Sequence, residues 1–67
     1  MTKALTLRID AVPYTVTDAV NAYCIENGAV WSPSGGNMTF YWWFADEAVI
    51  SAVLLKFANV PLGVVDL

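Results

Sequence analysis

The spacing of hydrophobic positions changes several times along the chain, and each change predicts a new element. From Ala4 to Asp10, Leu5, Leu7 and Ile9 alternate with Thr6, Arg8 and Asp10, as in a strand with one buried face. Ala11-Val12-Pro13 interrupts that strand, because proline has no N–H for a ladder and biases the preceding residue toward an extended conformation. Thr15 and Asp18 then have the spacing of a capping box, with Tyr14 and Ala19 placed as a hydrophobic staple. A helix is therefore expected from Val16, with Val16, Val20, Tyr23 and Cys24 turned inward and Asn27-Gly28 as a left-handed stop. Ile25 falls off this stripe. A competing reading makes Pro13 to Val16 a hairpin strand, but neither Gly nor Asn marks the turn it would need.

Ala29 to Ser32 suits a short strand with Val30 and Trp31 on opposite faces, and Pro33-Ser34-Gly35-Gly36-Asn37 supplies hairpin-loop chemistry after it. The next strand, Met38 to Phe44, is dense in aromatic rings. Alternation sends Met38, Phe40, Trp42 and Phe44 to one side and Thr39, Tyr41 and Trp43 to the other. Asp46 is a good N-cap, and Glu47 suits the first turn of a helix reaching about Ala58. Its inward stripe is Val49, Ile50, Val53, Leu54 and Phe57, with Leu55 left outside. Asn59-Val60-Pro61 ends it, and Leu62 to Leu67 can form a final edge strand or a docked tail.

The order strand, helix, strand, strand, helix, strand predicts a single α+β domain over 1–67 of the ferredoxin-like kind (βαββαβ), with both helices on one face of a four-stranded antiparallel sheet. The first and third strands are then central. The other face carries Thr6, Arg8, Thr39, Tyr41 and Trp43, with one of Val30 or Trp31.

Composition adds a reason to expect self-association. A chain of 67 residues is near the size at which one core barely offsets chain entropy. With one cysteine and no histidine, it can form neither an intramolecular disulfide nor a Cys/His zinc site. Its residues are 58% hydrophobic and only 13% charged, against a norm of about 25% charged, so a homodimer or larger homo-oligomer is expected.

Charge narrows the partners. A net charge of -3 and a pI near 4.2, with Lys3, Arg8 and Lys56 scattered, argue against nucleic acid and anionic membranes. Six carboxylates are too sparse to imitate DNA, which carries one phosphate per about 1.7 Å of duplex axis. The N-terminus leads into the alternating pattern rather than a leader-like apolar run, and no apolar helix pattern reaches the roughly 20 residues of a bilayer span, so a cytoplasmic, soluble protein is expected.

The chemistry-bearing residues point away from catalysis. Without histidine there is no ordinary Ser/His or Cys/His nucleophile pair, and Cys24 lies on an inward stripe where a thiol acts as a small hydrophobe. Asp46 and Glu47 suit a helix start, and adjacent helical residues do not face one another. Ser34-Gly35-Gly36-Asn37 leads into a strand, whereas phosphate-cradling loops lead into a helix N-terminus. No enzyme activity, cofactor or metal site is expected.

The candidate site is Arg8, Trp31, Tyr41 and Trp43, residue types that anchor protein interfaces. RNA-recognition modules stack bases on similar open sheet faces, but their basic-aromatic signature is missing here. A protein partner is therefore the first expectation, a small nucleotide held between subunits the second, and single-stranded nucleic acid the third.

Phe40-Tyr41-Trp42-Trp43-Phe44-Ala45-Asp46-Glu47-Ala48 followed by Leu54-Leu55-Lys56-Phe57 resembles the strand-then-helix ending of short orphan proteins from tailed bacteriophages. The resemblance covers about the C-terminal half, is a pattern of residue types, and departs in lacking further basic residues near Lys56. It implies binding to host or viral components, for example inhibition of a host enzyme or defence system in the host cytoplasm, and it transfers no site residue.

Overall fold

The computed structural model describes residues 3–33 and 37–66. The elements are β1 (Lys3–Arg8), α1 (Tyr14–Glu26), β2 (Val30–Pro33), β3 (Thr39–Trp43), α2 (Glu47–Lys56) and β4 (Gly63–Asp66). The strands form one antiparallel sheet in the order β2-β3-β1-β4, so the two strands with the richest apolar patterns are the inner ones.

Strand register and alternation place the core. Leu5 is opposite Trp42 and Leu7 opposite Phe40, and Leu5, Leu7 and Trp42 are buried in one cluster with Val20 and Cys24 of α1 and Ile50 and Val53 of α2. Phe44, just past β3, joins the same cluster. Both helices therefore pack on this side of the sheet. Trp42 also spans the layers, because its Nε1–H donates to Asn21 Oδ1 of α1 at 2.9 Å. The Cys24 thiol is fully buried, and burial pushes its pKa up to about 11, which keeps it protonated and unreactive at neutral pH.

The first helix begins two residues before the expected Val16. Pro13 is its N-cap residue, with φ -58° and ψ 148°, and its carbonyl accepts from Val16 N at 2.9 Å and Thr17 N at 3.4 Å. A fixed proline φ is already compatible with this entry. Thr15 consequently lies inside the first turn, no side chain among the described residues caps the helix, and Tyr14 is 76% exposed instead of stapled. An inward residue absent from the expected stripe is Thr17, which lies three and seven positions before Val20 and Cys24 and so shares their face. Thr17, Val20 and Cys24 are buried, whereas Val16 and Tyr23 are only partly so.

Thr17 Oγ1 is buried without a hydrogen-bond partner among the described residues. An unpaired buried hydroxyl costs about 1–3 kcal/mol, and valine has nearly the same shape. Thr17→Val is expected to raise stability by about 1 kcal/mol, read as a higher urea midpoint at unchanged slope.

The stop of α1 follows the sequence closely. Gly28 has φ +88°, and Ala29 N returns to Cys24 O at 3.0 Å. A Cβ on Gly28 would meet nothing within 4 Å, so Gly28→Ala is a purely conformational change. It is expected to cost about 1 kcal/mol by urea unfolding.

The turn expected at Ser34-Gly35-Gly36 lies outside the described residues. Beyond it, Met38 has a left-handed φ of 54° and β3 begins at Thr39, one residue later than the aromatic run suggests. Asp46 caps α2 as expected, accepting from Ala48 N at 2.9 Å, with Glu47 and Lys56 complementing the dipole at its two ends. The helix closes at Lys56, two residues before Ala58, with Phe57 as its C-cap and Leu55 81% exposed. Among the described residues, no helix is long and apolar enough to cross a membrane.

Candidate functional site

The same register that builds the core defines the opposite face. Val30, Trp43, Ala4 and Val65 form one row across the four strands, each opposite the next. Ser32, Tyr41, Thr6 and Gly63 form the adjoining row, and Thr39 pairs with Arg8 beyond it. One row is apolar throughout and the other carries hydroxyls. Ala4 is fully buried between Trp43 and Val65, so its methyl group seals the middle of the apolar row.

Tyr41 and Trp43, two positions apart on β3, stack with ring centroids 6.3 Å apart and planes 25° from parallel. Both are half-buried. Val30 is exposed, as is Val65. The result is a broad aromatic and aliphatic platform bordered by the hydroxyls of Thr6 and Ser32. Gly63 fits this platform for a steric reason: a Cβ there would lie 2.7 Å from Thr6 Oγ1.

Arg8 is on this face, but its charge is locally matched. Its Nε–H donates to Asp10 Oδ1 at 3.0 Å and its terminal N–H to Asp10 Oδ2 at 2.8 Å. The hydrogen bonds to Asp10 raise the Arg8 pKa, and the same bonds from Arg8 lower that of Asp10. Both groups are open to solvent, so this pair orients Arg8 more than it stabilises the fold. The other two basic residues are also engaged: Lys3 Nζ lies 3.7 Å from Glu47 Oε2, and Lys56 Nζ is 4.9 Å from the centre of the Tyr23 ring.

Trp31 is not brought together with the other three candidate residues. It is opposite Trp42 and makes an edge contact with Phe40, with centroids 5.4 Å apart, which puts it on the helix side of the sheet. Val30 takes the expected place beside Trp43. Phe40 and Trp42 continue the edge-to-face series inward, with centroids 6.0 Å apart. The grouping that the structure supports is thus Arg8, Tyr41 and Trp43 with Val30, Ala4 and Val65. The alternation of Val64 and Val65 was the available signal for the last of these.

A separate cavity of about 220 Å³ opens on the helix side, lined by Ile9, Tyr14, Thr17, Asp18 and Phe40. Among the described residues, no group of three or more His, Cys, Asp or Glu is arranged to hold a metal ion. Compared with known proteins, the chain matches no protein-family model, no curated protein and no solved structure.

Proposed function

We propose that this chain is a small ferredoxin-like domain that acts by binding another protein through the open face of its sheet, and that it works as a homodimer or larger homo-oligomer. The observation that carries the binding role is the stacked Tyr41–Trp43 pair set in the row Val30, Trp43, Ala4, Val65, on the side opposite the packed helices. Aromatic anchors flanked by aliphatic contacts and a polar border are the usual make-up of a protein interface. The fold reading is supported by the βαββαβ element order and by the sheet order β4-β1-β3-β2 when read from its other edge.

A protein partner suits this face better than a phosphate-bearing one. Arg8, its cation, is held by Asp10, and phosphate binding depends on cations available to displace counterions. The bacteriophage resemblance of the C-terminal half supplies the class of partner, a host or defence protein inhibited by being bound.

The test is retention of a protein from a bacterial lysate on the immobilised chain, with two substitutions for comparison. Trp43→Ala is expected to lose the retained protein. Leu55→Ser, on the solvent side of α2, is expected to keep it. Equal retention by both variants would refute the reading.

A further inference from the structure

The two edges of the sheet are not alike. β2 ends in Pro33, which has no N–H to offer a further strand. β4, Gly63-Val64-Val65-Asp66, has no proline, no lysine and no bulge, and among the described residues its outer side has no strand neighbour. Natural sheets commonly guard such an edge with those devices. Here Val64 is 46% and Val65 37% exposed.

We propose that β4 pairs antiparallel with β4 of a second copy, joining two sheets into one of eight strands about a two-fold axis at Val64. The proposal rests on the self-association put forward above and names its seam. In a continuous antiparallel sheet, opposed residues share a face, so a two-fold axis perpendicular to the sheet must pair positions of equal parity. Centring on Val64 sets it opposite its symmetry mate on the helix side. On the other face, Val65 then falls opposite Gly63 of the second copy, twice by symmetry. Gly63 is the one position of β4 without a side chain, so each exposed valine meets its backbone beside the Thr6 hydroxyl, which lies 2.7 Å from where a Gly63 Cβ would be. Asp66 falls opposite Leu62, and no two like charges are opposed.

This complementarity is what selects a second copy over an unrelated strand. It also leaves the Tyr41–Trp43 platforms of both copies uncovered and on the same side of the joined sheet. The apolar row of one copy runs into the Tyr41 row of the other.

Two measurements test the seam. Light scattering over a wide concentration range should show twice the 7.3 kDa chain mass. Val64→Lys, which sets two like charges face to face, should return the monomer mass, whereas Trp43→Ala should not. For a readout that does not depend on tolerating lysine, Val64→Cys should form a disulfide-linked dimer on oxidation. Opposed Cα atoms in antiparallel strands are about 5 Å apart, within disulfide range. Val65→Cys should not, because its symmetry mate is displaced by two residues along the strand, to about 8 Å.

A wild-type monomer throughout would overturn the self-association itself. A dimer that Trp43→Ala dissociates and Val64→Lys does not would overturn the seam alone. Cross-linking at position 65 in preference to 64 would overturn the register.

Discussion

Trp42→Ala is expected to leave most of the chain unfolded in water at room temperature. Trp42 is fully buried, centred between Leu5 on β1 and the inner residues of both helices, and it holds Asn21 of α1 through its indole N–H. Removing a buried tryptophan side chain costs about 3–5 kcal/mol, because the lost burial is compounded by a cavity that the neighbours fill only partly. A 67-residue domain has a total stability of about 3–10 kcal/mol, so the substitution removes much or all of it. Far-ultraviolet circular dichroism with and without a stabilising osmolyte measures this directly. A native spectrum with an unchanged urea midpoint would show that Trp42 is not the centre of the core.

Its neighbour along the chain should behave in the opposite way. Trp43→Ala is expected to keep a cooperative urea transition while weakening partner binding by about 2 kcal/mol or more, roughly 30-fold in affinity. Trp43 is half-buried and shields Ala4, so some stability is lost with it. That loss should be well below the Trp42 effect, since the hydrophobic contribution scales with area removed from water. At an interface the same ring would be fully desolvated, which is where truncation costs most. Calorimetric titration of the retained protein into wild type and variant, together with urea unfolding of each, separates the two effects. Unfolding of Trp43→Ala to the extent of Trp42→Ala would mean that the ring belongs to the core.

The contrast between adjacent tryptophans was legible in the sequence, because strand alternation is a local rule and the helices supply enough apolar residues to cover one face. The Asp46 cap and the Gly28 stop were legible for the same reason, each depending on one residue and its immediate neighbours. What escaped was decided at a distance or by competition between local signals. Thr15 and Asp18 have capping-box spacing, but the helix enters at Pro13, which the sequence pattern marks only as the interruption of the first strand. The choice between Val30 and Trp31 depends on the register of β2 against β3, which the alternation of β2 alone does not determine. Val65 entered the open face only once β4 was paired with β1. The Arg8–Asp10 ion pair joins two residues that strand alternation alone places only on the same polar side of the first strand. That pair matches the one charge the open face was expected to present.

Binding through the open face requires one side of the sheet to be core and the other to be left open. Acrylamide quenching of tryptophan fluorescence tests this most directly, using one variant that retains only Trp42 (Trp31→Phe with Trp43→Phe) and another that retains only Trp43 (Trp31→Phe with Trp42→Phe), each first shown to unfold cooperatively. Trp43 should be quenched readily in the folded protein, and Trp42 should be shielded until urea unfolds the chain. Equal shielding of the two would contradict it, because the face carrying Tyr41 and Trp43 would then already be covered.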